Sequence, residues 1–107
     1  MKQLKLLNNQ RPTNNFNSYV GKFKALADEK RLQIMYELCQ RGKTNVLDLQ
    51  EVLGLPQSSL SYHLKILADA GLIQRETQGT WSYYELNSSE VNALLSEELC
   101  CIFRPSR

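Results

Sequence analysis

Apolar residues recur at helical spacing up to Gly71 and at alternate positions after it. Phe16, Tyr19, Val20, Phe23, Leu26 and Ala27 predict a first helix. Asp28 has the short oxygen-bearing side chain of an N-cap for a second. There Leu32, Met35, Tyr36 and Cys39 make one apolar face and Ile34 and Leu38 another, so this helix is expected to be central and buried on more than one side. Gly42 stops it. A short third helix runs from about Val46 to Leu53, with Thr44 or Asn45 as cap and Gly54 as stop. Gly54-Leu55-Pro56 then leads tightly into a fourth helix from Gln57 to Ala70, which Gly71 ends.

Residues 72–77 and 80–86 are rich in β-branched and aromatic side chains, and Gln78-Gly79 between them reads as a hairpin turn. Asn87-Ser88-Ser89-Glu90 has the spacing of a capping box. It opens a last helix with Val91, Leu94, Leu95, Glu98, Leu99 and Ile102 along one side, ended by Pro105. The chain is therefore expected to be mostly α with a small β-hairpin, in the order α-α-α-α-β-β-α. A short helix, a Gly-containing turn and a polar-faced helix make a helix-turn-helix, and the hairpin adds a wing. Residues 1–15, rich in Asn and Gln with Lys2, Lys5 and Arg11, read as a flexible basic arm, and residues 16–107 as one DNA-binding and dimerisation domain.

The fourth helix has two unlike sides. Leu60, Leu64 and Leu67 form one narrow stripe. The other side offers Gln57, Ser58, Ser59, Ser61, Tyr62 and Lys65, and no acid occurs before Asp69. Surface helices ordinarily mix charges of both signs. Hydroxyls, an amide and one cation suit a helix lying in the major groove, where Gln can pair with adenine and Ser can donate or accept. His63 lies about 60° off the leucine stripe. It is either a contact to phosphate or base, or a half-buried structural residue. In the wing, Arg75, Gln78 and Gly79 are candidate contacts to phosphate or the minor groove, with Glu76 reducing the local positive charge. Trp81, Tyr83 and Tyr84 read as hairpin and core packing.

Composition narrows the class. The 107 residues fit one small domain, and the net charge of +2 leaves nucleic-acid binding to local patches. No apolar run approaches a membrane span, and Met1–Leu7 is too short for a signal peptide, so a cytoplasmic location with no membrane partner is expected. The three Cys are then expected as reduced thiols. With one His, no Gly-rich phosphate loop and scattered acids, no catalytic set is present in the sequence, and an enzyme is not expected.

Three stretches also resemble the ArsR/SmtB family of bacterial winged helix-turn-helix repressors, nearest to repressors of arsenical-resistance operons. They are Ala25-Leu26-Ala27-Asp28-Glu29-Lys30-Arg31-Leu32-Gln33-Ile34, then Gln57–Leu67, then Gly79-Thr80-Trp81-Ser82-Tyr83-Tyr84. The resemblance spans roughly residues 20–103. It implies a homodimer built on the first and last helices, through Tyr19, Phe23, Val91, Leu94, Leu95, Leu99 and Ile102. It also implies double-stranded operator DNA as partner and an inducer that releases it.

The departures concern sensing. Arsenic- and cadmium-sensing members carry Cys-Val-Cys-Asp-Leu at the start of the third helix, where this chain has Asn45-Val46-Leu47-Asp48-Leu49. The family's other site, on the last helix, needs a His that this chain lacks, since its only His is His63. Soft As(III) or Sb(III) would then fall to Cys100 and Cys101, with Cys39 as a third sulfur. The alternatives are redox sensing by the same thiols, constitutive repression or another ligand, and a winged-helix module used only for protein contacts.

Overall fold

The computed structural model describes residues 16–95. In chain order the elements are α1 (Phe16–Leu26), α2 (Glu29–Arg41), β1 (Thr44–Asn45), α3 (Val46–Leu53), α4 (Gln57–Asp69), β2 (Ile73–Gln78), β3 (Trp81–Leu86) and α5 (Ser88–Leu94). The expected basic arm, Leu99, Cys100, Cys101, Ile102 and the stop at Pro105 lie outside the described residues.

The helices start and stop where local chemistry directs. Asp28 caps α2 by accepting from the backbone N–H of Arg31 at 3.1 Å, and Gly42 closes it by donating to the Leu38 carbonyl at 2.8 Å. Asn45 caps α3. Gly54 ends α3 in the left-handed region (φ 65°, ψ 29°), which glycine enters without a Cβ clash, and its N–H bonds the Gln50 carbonyl. Pro56 then cannot continue a helix behind it, so the chain turns and restarts at Gln57.

One apolar cluster joins these elements. Ala25 and Leu26 enter it from α1, Ile34, Met35 and Leu38 from α2, Leu49 from α3, and Leu60, Leu64 and Leu67 from α4. Leu72, Ile73 and Val91 close it from below the wing. The leucine stripe of α4 is 0–1 % exposed, so its opposite side must face outward. α2 departs from expectation. Only its Ile34–Met35–Leu38 side is buried, while Leu32 and Tyr36 are exposed.

The sheet holds an element absent from the sequence reading. It has three strands in the order β1-β3-β2, all antiparallel, with Thr44 opposite Tyr84 and Asn45 opposite Tyr83. The hairpin turn is shifted by one residue from expectation. Gln78 pairs with Trp81, so Gly79-Thr80 is the two-residue loop, with Gly79 at φ 65°. A glycine at the first loop position suits a turn whose twist matches the strands.

The last helix also differs. Asn87 does not cap it by its side chain. Its Oδ1 accepts instead from the Ser89 hydroxyl at 3.1 Å, and its backbone N–H is given to the Leu72 carbonyl at 2.9 Å. No Asn87 amide is left for Glu90 to reach, so the expected capping box does not form. Helix geometry stops at Leu94, and Leu95 is extended (φ −111°, ψ 147°). Consecutive helical residues diverge by about 100°. The extended step lets both Leu94 and Leu95 pack against the core. Val91, expected at a partner interface, is only 5 % exposed and belongs to that core.

Candidate nucleic-acid interface

The turn at Gly54-Leu55-Pro56 presents the start of α4 to solvent, and no side chain caps its first turn. Backbone N–H groups at such a start favour anions. Gln57, Ser58, Ser61, Tyr62 and Lys65 are exposed, Tyr62 at 62 %, and Ser59 is half-buried at the edge. The expected reading side is thus one surface. Lys65 donates to Asp69 Oδ2 at 3.0 Å across one helical turn, with both side chains exposed. Such a pair holds its cation weakly.

His63 turns toward the protein. Its side chain is 14 % exposed, and its Nδ1 lies 3.1 Å from Nη1 of Arg31 and 3.9 Å from Oδ2 of Asp28. Half-buried, it does not share the open side of α4 with Tyr62 and Lys65. The Arg31 backbone N–H, and after it the Arg31 charge, hold the Asp28 carboxyl below its ordinary range against an opposing effect of burial.

In the wing, Arg75 donates to the Ser82 hydroxyl at 3.1 Å, and Gln78 donates to Glu76 Oε2 at 3.1 Å. Glu76 is also bonded by Lys43. That bond raises the Lys43 ammonium above its ordinary range and, with the Gln78 bond, lowers the Glu76 carboxyl. The wing tip at Gly79 stands in open space. Tyr84 packs against the core as expected, but Trp81 is 47 % exposed beside the tip. Alternation along β3 puts Tyr84 and Leu86 inward and Trp81 outward.

A second surface lies on α1. Phe16, Tyr19, Val20 and Phe23 are between 41 and 54 % exposed and share one helical stripe. α5 lies beside it, with Lys22 reaching Glu90 at 3.6 Å, and Tyr19 and Leu94 line a shared groove.

Cys39 is half-buried against the core. Among the described residues no three His, Cys, Asp or Glu side chains gather as metal ligands, and no helix is long and apolar enough to cross a membrane. The residues that sequence reasoning missed are Arg31, Lys43 and Trp81. Strand alternation could have found Trp81. Lys43 and Arg31 meet partners more than thirty positions away, which no local pattern signals.

A profile described as "Bacterial regulatory protein, arsR family" matches residues 28–75. The arsenical resistance operon repressor of Bacillus subtilis (strain 168) is 74 % identical over 86 residues, covering 80 % of this chain and 82 % of that protein. HlyU from Vibrio cholerae N16961 superposes with a TM-score of 0.71 at 36 % identity, covering 83 % of this chain and 95 % of that one. A homodimeric winged helix-turn-helix DNA-binding domain, Mb0332 from Mycobacterium bovis, gives a TM-score of 0.72 at 25 % identity, covering 87 % and 85 %.

Proposed function

The chain belongs to the arsR family of bacterial regulatory proteins, and from that premise we propose that it is a homodimeric repressor of an arsenical-resistance operon. The observation that carries the reading is the exposed, acid-free start of α4, backed by a fully buried leucine stripe and flanked by the wing. Gln57, Ser58, Ser59, Ser61, Tyr62 and Lys65 read or grip DNA, while Arg75, Gln78 and Gly79 approach its backbone. The α1 stripe around Tyr19 and Phe23 meets the same stripe of a partner, with Leu94 and Leu95 at its edge. The two reading helices then enter half-sites about one DNA turn apart, or a multiple of it.

The inducer reading rests on donor chemistry. The start of α3 does not fit a soft metalloid. Asn45 offers an amide oxygen already bonded to the Leu47 N–H, and Leu47 offers no donor. Thiophilic As(III) or Sb(III) is therefore assigned to Cys100 and Cys101, with Cys39 as the remaining thiol. The test is operator affinity in reducing buffer with and without As(III), Sb(III), Cd(II) and Zn(II). Wild-type protein should release operator on arsenite, and the Cys100→Ser/Cys101→Ser variant should not. Normal release from that variant removes the thiol assignment. Release by an oxidant alone moves the reading to redox sensing. A protein that ignores every ion and oxidant is a repressor of another kind, and one that shows no operator preference in a gel shift is not a repressor at all.

A further inference from the structure

The Arg31 guanidinium lies where three helices meet. Its Nε donates to the Ala25 carbonyl at 2.6 Å and its Nη2 to the Lys24 carbonyl at 3.5 Å, both in the last turn of α1. The Lys24 carbonyl also accepts from the Ala27 N–H at 3.1 Å. These last carbonyls form the negative end of the helix dipole, so a cation is favoured. The third arm of the fork, Nη1, meets Nδ1 of His63 in α4 at 3.1 Å. Arginine has donors only and keeps its proton. The His63 Nδ1 must then be the acceptor, which leaves the ring proton on Nε2. The His63 ring stands edge-on to the Tyr62 ring, with centroids 5.2 Å apart and planes at 67°. That is a favoured aromatic geometry. Tyr62 is in turn the most exposed large apolar side chain among the described residues, on the reading side of α4. One side chain thus connects the end of the partner-facing helix to the aromatic that faces DNA.

We propose that Arg31 is a positioning residue for operator recognition: it fixes the tautomer and ring orientation of His63, and so holds Tyr62 and the reading side of α4 in register with α1. The proposal rests on α4 being the reading helix. Arg31 itself touches no base. Lysine could satisfy one α1 carbonyl but could not fork to both the carbonyls and the ring.

His63 is the only histidine of the chain, so nitrogen-15 correlation spectra show a single imidazole. In mildly alkaline buffer wild-type protein should show the Nε2–H tautomer, and Arg31→Lys should show a mixture. Affinities for operator and for a scrambled duplex give the functional readout. Arg31→Lys should lower their ratio about tenfold, the scale of one lost base contact, with dimer size and scrambled-duplex affinity unchanged. His63→Leu should do the same. His63→Asn should recover most of the ratio, because its Oδ1 is attached to Cγ as Nδ1 is in histidine. A variant that merely unfolds would lower both affinities together, and the His63 pair then carries the test. An Nδ1–H ring in the wild type overturns the proposal. So does a full operator ratio in both Arg31→Lys and His63→Leu while Tyr62→Ala loses it, an outcome that leaves α4 as the reading helix. If Tyr62→Ala, Gln57→Ala and Ser61→Ala all keep the full ratio, the reading-helix assignment fails and takes the proposal with it.

Discussion

Asn45 Oδ1 accepts a hydrogen bond from the backbone N–H of Leu47 at 2.7 Å. These are the two positions at which metal-sensing members of the family carry thiolates, and in this chain they make a helix cap. Asn45→Ala should therefore lower stability by about 1 kcal/mol, the usual cost of losing an N-cap, measured by urea denaturation. Leu47 is 53 % exposed, so replacing it opens no cavity. Asn45→Cys with Leu47→Cys should place two thiols at an accessible helix start and create or strengthen arsenite binding, read by titration in the Cys100→Ser/Cys101→Ser background. An unchanged titration would show that two sulfurs there are insufficient.

On α4, cation and reader residues should separate in their effects. Lys65→Ala should weaken binding to all sequences and reduce the salt slope of binding by about one. Gln57→Ala and Ser61→Ala should instead relax base preference at particular positions, by about 1–3 kcal/mol each. Asp69→Asn frees Lys65 from its 3.0 Å partner and should strengthen binding to every duplex. Equal affinity in Asp69→Asn and wild type would mean that Lys65 does not reach phosphate.

Two apolar-to-acid changes should fail differently. Phe23 is 52 % exposed in the single chain and Val91 is 5 % exposed. Phe23→Asp should give a folded monomer with weak operator binding, whereas Val91→Asp should unfold, since a buried carboxylate without a partner is costly. Sedimentation with circular dichroism separates them. A Phe23→Asp dimer of normal size would exclude the α1 stripe from the interface.

The wing tether has a worked pH dependence. The Glu76 carboxyl is lowered from its ordinary 4.5, so its contribution is present above that value and is lost as pH falls through the lowered one. The Lys43 ammonium is raised from 10.5, so its contribution is present below that value and is lost as pH rises through the raised one. Both groups are exposed, so the effect is modest. Glu76→Gln should lower the neutral plateau of the urea midpoint slightly and flatten its acid limb by the same small amount. An acid limb identical to wild type would contradict the assignment.

Legibility in the sequence followed range. α3 and α4 were readable because a helical period runs between glycine stops at Gly54 and Gly71, and the leucine stripe of α4 sets which side faces out. The family resemblance located the same surface. β1 was not readable, because a two-residue strand has no period and exists only through its pairing with Tyr83 and Tyr84. The turn was misplaced by one because both Gln78-Gly79 and Gly79-Thr80 contain the glycine that turns require, and only the register decides. The failed capping box at Asn87 has two causes, the Ser89 hydroxyl on its Oδ1 and the tertiary bond of its N–H to Leu72. The approach of Arg31 to His63 joins residues 32 positions apart. It also removed His63 from the exposed surface that a helical wheel allowed it.

Asn45 serves two elements at once, as the last residue of β1 opposite Tyr83 and as the cap of α3. That shared residue fastens the hairpin to the first helix of the helix-turn-helix, much as a gusset stiffens a bracket. Under the proposed reading, hairpin and helix-turn-helix then move as one unit, and a shift of the hairpin carries the start of α3 with it. A change of groove width beneath the hairpin tip should accordingly lower operator affinity as a change beneath α4 does.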